Sequence, residues 1–503
     1  LEDGKIKLNE LIKAIVIEIN SEVGNYDFKK AIPYLITRID ALDDQYVHTS
    51  FTIKRSLEHD VDYKREENYA RQESDYITMH KNYRYLIEKF VQLQPHKDMV
   101  LDKEQFQYLI SLIDWLYVFY SASDSLHYGI HPLGMKVDRN FLVEVPHEND
   151  LSAKEKEFAE EDSKLKLGII GNPNDRVSSP RPLADLIDVL NSAFKQDIGF
   201  TFRSMIAALQ ILSQWATYRS GINISLFYSA SAEEIREICT HNIKGISQEE
   251  IYPILNFLTL RSCDVLHLVG QEESCPDLPV WEYKKRYARY NLKPLIIIDN
   301  KYYWGPHSTS KSGTIWSGKL SYGALPTDLQ SPTIEKVLRS EKKLIEDALV
   351  VKTLEIVKRY TPYARPNLEL HSIDKSRNNP SDLGDYDVLA FYPKKNIALN
   401  IECKDILPAF CPKDAKRLRE TIFGKDNKDE GHFRQINKRR DYLSLHLLEI
   451  AQALKWPIDV NKLPKIVTIY LTRMTYWWTK FPPKDVKTVF LQVNMLSKFI
   501  EDL

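Results

Sequence analysis

Residues 384–405 read GDYDVLAFYPKKNIALNIECKD, and the organisation of the chain follows from that stretch. Two apolar runs, Val388 to Tyr392 and Ile397 to Ile401, flank a Pro-Lys-Lys-Asn turn, and acidic residues with one lysine stand at the open end. The pattern predicts a β-hairpin. Side chains alternate between the faces of a strand, so Asp385, Asp387, Leu389 and Phe391 share one face of the first strand. On the second, Ala398, Asn400, Glu402 and Lys404 share a face. A loop of two residues, Lys394-Lys395, or of four, Pro393 to Asn396, gives the same register, with Asp387 directly opposite Glu402. Both runs are apolar almost without interruption, which predicts a central hairpin covered on both sides. Charges that close a buried hairpin are costly unless they are paired or put to use.

Residues directly opposed across a ladder have Cβ atoms roughly 4.5–5.5 Å apart. Two carboxylates that close do not both stay ionised in a dry site without a cation. The pair therefore points to Mg²⁺ or Mn²⁺, hard ions that take oxygen ligands, held by Asp387 and Glu402 with the backbone carbonyl of Cys403 as a further donor. Lys404, one step along the same face, is placed to orient a water or to neutralise developing charge. Such a constellation suits metal-assisted hydrolysis of a phosphodiester.

The segment resembles the PD-(D/E)xK nuclease superfamily, whose core carries an aspartate and then Glu-x-Lys on adjacent strands. Asp387, Glu402 and Lys404 match those three positions, and Tyr386 stands where many members have proline. The resemblance runs from near Ser331 to the C-terminus, specific at the hairpin and loose elsewhere. It implies a restriction-endonuclease-like mixed β-sheet flanked by helices, bound Mg²⁺, and water attack on DNA or, less often, RNA. It also implies an acidic residue on the helix before the hairpin, for which Glu346 is the first choice and Glu341 the second. A polar residue on the helix after it, Gln435 or Arg439, would complete the site.

The flanking sequence agrees with such a core. Ser331-Pro332 offers an N-cap followed by proline at the first helical position, and a long apolar helix is expected to run to Tyr360, with Ser340 as a candidate break. Pro366 to Ser372 reads as a first strand, Lys465 to Thr472 and Thr488 to Val493 as later ones, and Met495 to Leu503 as a closing helix. Residues 411–440 hold ten Lys or Arg against five Asp or Glu. Within them HFRQINKRRDYL reads as a helix presenting His432, Gln435, Arg439 and Tyr442 on one face. Arg434, Lys438 and Arg439 are candidates for phosphate contact, since lysine and arginine beside a polyanion release its counterions.

The remainder reads as mostly helical, so the fold class is α plus α/β: a helical N-terminal region followed by the mixed-sheet domain. The chain's 503 residues suggest three domains, placed at 1–165 (helical), 166–290 (helical scaffold or docking) and 291–503 (nuclease-like). Leu8, Leu11, Ile12, Ile15 and Ile19 mark one amphipathic stripe, and Asp102 to Ser121 a larger helix. Glu144 to Lys166 is acidic and polar, like a linker or an exposed helix. Ser231 with Glu234, and Ser247 with Glu250, are two capping-box patterns. Tyr283 to Lys293, YKKRYARYNLK, reads as an amphipathic helix or, alternatively, a nucleic-acid contact. Pro294 to Trp304 reads as a hairpin turning at Asp299-Asn300.

Net charge is −1, so attraction to nucleic acid has to come from local patches. Five widely spaced cysteines make neither a metal finger nor a disulfide framework and suggest a reducing cytoplasm. No apolar run approaches the ~20 residues of a membrane span, so no membrane partner is expected. The chain begins Leu1-Glu2-Asp3 rather than with methionine, as a piece of a longer protein would. No His-Glu-x-x-His helix, Gly-x-Ser-x-Gly elbow or phosphate loop is present, which argues against zinc protease, esterase and ATPase chemistry.

The expected activity is metal-dependent nuclease action on DNA, with the helical region recognising substrate, joining a homo-oligomer or partner subunit, or gating the site. By analogy alone, defence against foreign DNA suits that design. The alternative is a nuclease-like fold that binds or scaffolds without cutting.

Overall fold

The structure is a computed structural model. It describes residues 2–55, 65–129, 132–139, 142–146, 151–177, 181–219, 221–265, 288–320, 323–326, 329, 331–369, 383–406, 412–425, 431–474, 476–480, 482 and 486–503. The chain is predominantly helical, with a five-stranded mixed sheet toward its C-terminus. No helix among the described residues is long and apolar enough to cross a membrane.

The chain divides into two compact units, one built mainly of Leu1–Asp150 and Leu183–Arg339, the other of Leu151–Pro182, Ser340–Ala409 and Lys413–Leu503. This division differs from the three segments expected from sequence. Residues 151–182 go with the sheet-bearing unit and 291–339 with the helical one. The physical reason is local. The Asn172 N–H donates to the Asn494 carbonyl at 2.8 Å. Asp175 accepts from Ser497 Oγ at 2.5 Å and pairs with Arg359 at 2.7 Å. A polar stretch without periodicity carries no sign of such partners.

In the helical unit, helices α1 (Glu2–Val23), α2 (Phe28–Arg55), α3 (Arg65–Leu93) and α4 (Lys103–Tyr128) bury Ile19, Ile36, Leu86, Phe90, Phe106 and Ile113 in one core. Leu8 and Ile19 of the predicted α1 stripe are buried, whereas Leu11 is exposed. A small antiparallel sheet joins β1 (Tyr228–Ser231), β2 (Ile296–Ile298) and β3 (Lys301–Trp304) in the order β1-β3-β2. The expected turn at Asp299-Asn300 is present, with both residues at positive φ (47° and 62°), the geometry of a tight hairpin. The Ser231 capping box forms in full. The Ser247 box does not: the Glu250 carboxylate instead accepts from Ser204 Oγ at 3.0 Å and pairs with Lys195.

Only Ala288 to Lys293 of the aromatic-basic segment lie within the described residues. These six form a turn, and residues 283–287 of the segment lie outside the described ones. The turn's cations are spent on the protein: Arg289 donates to the Pro326 carbonyl, and Lys293 Nζ to the Phe257 carbonyl at 2.6 Å. Burial pulls the Lys293 ammonium down to about 8.

Helix α5 (Pro306–Leu320) starts on Asp40. Its buried carboxylate accepts from the backbone N–H of His307 (2.6 Å) and Ser308 (3.1 Å) and from Ser308 Oγ (2.6 Å), satisfying donors that a helix start leaves open. Helix α6 (Pro332–Lys358) runs unbroken through Ser340. Its first turn is capped not by Ser331, whose hydroxyl donates to Leu329 O at 3.1 Å, but by Asp197, which accepts from Thr333 N at 2.9 Å and Ile334 N at 3.0 Å.

The five-stranded sheet runs β8-β7-β6-β5-β4, with β4 Ala364–Glu369, β5 Asp385–Tyr392, β6 Ile397–Lys404, β7 Lys465–Thr472 and β8 Thr488–Gln492. β4, β5 and β6 are antiparallel neighbours; β7 and β8 add in parallel. The first strand thus begins two residues before the predicted Pro366, and residues 370–372 of that prediction lie outside the described ones. The β5–β6 turn is the four-residue Pro393–Asn396 loop, with Asn396 left-handed at φ 53°, a conformation asparagine tolerates.

One face of the sheet packs Val388, Ala390, Leu399 and Ile401 against Leu349 and Ile356 of α6 and against Leu496 and Ile500. The other packs Leu389, Phe391 and Ala398 against Leu443, Leu447 and Ile450, of which Leu443 belongs to α7 (His432–Leu445). β6 is buried along almost its whole length, as a doubly covered strand must be.

Gly305 sits so close to Asp40 that an added Cβ would lie 2.0 Å from its Oδ1. Gly305→Ala is expected to cost about 1–3 kcal/mol in urea unfolding, the range for forced overpacking. Gly318→Ala, with nothing within 4 Å of the added carbon, should be neutral or stabilising.

Candidate active site

The site grows out of the hairpin register. Val388 pairs with Ile401, Leu389 with Asn400 and Tyr392 with Ile397, so the next step brings Asp387 level with Glu402, as the sequence predicted. The ladder opens there. Asp387 Oδ2 turns to the β6 backbone and accepts from the Cys403 N–H at 2.7 Å. Alternation sends Cys403 to the opposite face, where its Sγ meets Thr353 Oγ1 of α6 at 3.4 Å. Glu402 and Lys404 remain on the face covered by α7.

Lys404 Nζ lies 2.9 Å from Glu402 Oε1 and 3.8 Å from Asp387 Oδ2, so one ammonium serves both carboxylates. The second oxygen of Glu402 is held by Arg439 at 2.9 Å, with both side chains 5% exposed. Arg439 also donates to the Asp385 carbonyl, and its own carbonyl accepts from Tyr386 Oη at 2.8 Å. The guanidinium thus ties α7 to the open end of the hairpin. Arg439 was expected among residues displayed for phosphate; it is instead buried and committed to Glu402.

Electrostatics follow from this packing. Burial, and then the facing Glu402 carboxylate, push the Asp387 carboxyl up to about 6, against the opposing pull of Lys404, the Cys403 N–H and Arg439. Burial alone would lower the Lys404 ammonium, but Glu402 and Asp387 outweigh it and the net shift is upward. Lys404 is therefore a cation at neutral pH. His432 lies on the same face of α7 as Arg439. Its Nδ1 is 3.0 Å from Tyr470 Oη, and Tyr470 pairs with Glu402 across the parallel ladder. Burial and then Lys404 hold the His432 imidazole below its usual value, so at neutral pH it is uncharged.

The two helix glutamates separate clearly. Glu346 is half-buried, 3.8 Å from Lys342. Burial raises its carboxyl while Lys342 and Lys404 pull it back, so it lies within electrostatic reach of Lys404. Glu341 is buried and paired with Arg181 at 2.6 Å. Gln435 and Arg434 are exposed on α7, and Lys438 is half-buried. Asp405, next to Lys404, is bound by Arg473 through both oxygens at 3.0 and 3.1 Å.

Sequence reasoning missed Tyr470 and the Arg439–Glu402 pair. Alternation could have flagged Tyr470, because Thr468, Tyr470 and Thr472 stand opposite Asn400, Glu402 and Lys404. The ion pair depends on how α7 docks, which no spacing encodes.

Among the described residues, no three His, Cys, Asp or Glu side chains converge as a metal-holding group. The donor set is narrower: two carboxylates from neighbouring strands. Asp387 is the incompletely compensated one, since Lys404 approaches it only to 3.8 Å and its carboxyl is raised. Hard oxygens with unmet negative charge fit a hard divalent cation. No protein-family model matches the chain, and comparisons with curated proteins and with solved structures find no match either.

Two outcomes follow. Arg439→Met strips a cation from a buried carboxylate and should destabilise the protein by about 3–5 kcal/mol in urea unfolding. Adding Glu402→Leu to it should recover much of that loss. For Asp387, the folded carboxyl (about 6) lies above its unfolded value of ~3.9. Its contribution to stability is then full below the unfolded value and fades as pH rises through about 6. Without divalent metal, the stability of the wild type relative to Asp387→Asn should fall as pH rises from about 4 to about 6 and change little above about 7.

Proposed function

We propose that the chain is a metal-dependent nuclease that hydrolyses phosphodiester bonds, with DNA as substrate. The observation that carries the reading is the opposition of Asp387 and Glu402 on β5 and β6 with Lys404 Nζ between them. The Asp then Glu-x-Lys order on adjacent strands, in a mixed sheet covered by helices on both faces, adds the resemblance to PD-(D/E)xK nucleases and their restriction-endonuclease-like core.

In this reading Asp387, Glu402 and the Cys403 carbonyl hold a Mg²⁺ or Mn²⁺ ion. When bound, such an ion polarises a phosphate oxygen and makes a coordinated water more acidic. Arg439 fixes the orientation of Glu402 and keeps it ionised. Lys404, held as an ammonium, neutralises charge growing on the phosphorane and is not the proton acceptor. Glu346 completes the acidic edge from α6. Exposed Arg434 and half-buried Lys438 of α7 supply phosphate contacts that position the strand without reading sequence. The helical unit serves recognition, assembly or gating, in keeping with a role in defence against foreign DNA.

Incubation with plasmid and single-stranded DNA should give cleavage with Mg²⁺ or Mn²⁺ and none with EDTA. Asp387→Asn, Glu402→Gln and Lys404→Ala should each lower the rate by about 10²-fold or more, the scale for losing one charge-stabilising group. Glu346→Gln should cost less. Cutting that survives Glu402→Gln would displace the site from the hairpin. Binding of DNA with no cleavage under any metal would favour a non-catalytic binding module.

A further inference from the structure

The hairpin site holds one polar ring to which the nuclease reading gives no task. His432 opens α7 and is half-buried. Its Nδ1 lies 3.0 Å from Tyr470 Oη. Charges from three elements act on the imidazole: Lys404 and Glu402 of β6, Arg439 of α7 and Lys342 of α6. The ring therefore stands where the groups of the site converge.

Tyr470 decides where the imidazole carries its proton. It is 0% exposed, with the rings of Phe433 and Phe490 at centroid distances of 5.9 and 5.6 Å, so its hydroxyl cannot turn to water. Burial and then Glu402 hold the phenol well above its usual value, so the hydroxyl keeps its hydrogen. Among the described residues that hydrogen has one acceptor, His432 Nδ1. Buried polar groups use the partner they have, so the O–H donates to Nδ1. A neutral imidazole carries a single N–H, and burial and then Lys404 keep this ring neutral. Its N–H is therefore on Nε2. Among the described residues Nε2 has no hydrogen-bond partner, and it is open rather than enclosed.

We propose that His432 is a further catalytic residue of the hairpin site: its Nε2–H donates a hydrogen bond to an oxygen of the phosphate under attack, and Tyr470 is the positioning residue that fixes the tautomer. The inference rests on the nuclease reading of the hairpin. The phosphate oxygen gains charge as water adds, so the bond strengthens in the transition state and lowers the barrier. No proton is transferred. A neutral donor suits this place, because a further cation would be repelled by Lys404 and Arg439 and by the divalent ion held between the carboxylates.

Two readouts test it. The first is the ¹⁵N spectrum of the full chain labelled at histidine, in EDTA, with His432 assigned by the signal lost in His432→Gln. The Nε2–H tautomer is expected in the wild type, with a larger Nδ1–H share in Tyr470→Phe. The second is plasmid cleavage with Mg²⁺. His432→Ala should lower kcat by about 10²-fold, the scale for losing one oxyanion donor, with KM little changed. His432→Gln, whose amide keeps an N–H, should recover part of that loss and follow the wild-type dependence of kcat on pH. A wild-type ring protonated on Nδ1 would overturn the proposal. So would wild-type cutting that His432→Ala leaves unchanged, or an acid limb present in the wild type and absent from His432→Gln, the mark of a general base. In those cases the nuclease reading stands; a wild type that cuts no DNA with any metal would overturn both.

Discussion

The antiparallel register between β5 and β6 is the constraint on which the rest depends. A slip of one residue would turn every side chain on one strand to the other face. Asp387 would then lose Glu402, and the apolar runs would be misaligned with the helices that cover them. Two features hold the register. Asn396 closes the turn in a left-handed conformation, and its Nδ2 donates to the Lys462 carbonyl at 3.0 Å, just ahead of β7. The interleaved residues Val388, Ala390, Leu399 and Ile401 fill one core while Leu389, Phe391 and Ala398 fill another. The same alternation that buries the strands on both faces delivers two carboxylates to one edge.

That delivery creates an electrostatic problem, and the surrounding elements answer it unevenly. Glu402 receives Lys404 on one oxygen and Arg439 on the other. Asp387 receives one backbone N–H and a more distant ammonium, and its carboxyl rises toward neutral pH. The asymmetry separates the two acids: Glu402 is locked between two cations, and Asp387 is compensated only in part. It also defines Lys404 as a fixed positive charge, and the nearby His432 as an uncharged ring oriented by Tyr470.

The hairpin was legible because its signals are local: apolar period, turn residues and charges at fixed offsets. The strands Lys465–Thr472 and Thr488–Gln492 were legible for the same reason, and so was the tight turn at Asp299-Asn300. Features that depend on distant partners were not. Ser331 looked like a helix cap, yet Asp197 performs that task. Ser247 and Glu250 have capping-box spacing, yet Glu250 is drawn off by Ser204 and Lys195. Arg439 was named as a candidate to complete the site and to contact phosphate, but its burial against Glu402 depends on how α7 docks. The polar stretch after Lys166 showed no periodicity, so its attachment to the sheet-bearing unit through Asn172 and Asp175 was invisible until folded.

Anomalous diffraction from crystals soaked in Mn²⁺ tests the central claim most directly. A peak about 2 Å from oxygens of both Asp387 and Glu402, the spacing of a small hard cation from its ligands, is the predicted result. A strong peak elsewhere in the molecule with none at the hairpin, at a pH above the Asp387 value, would contradict it.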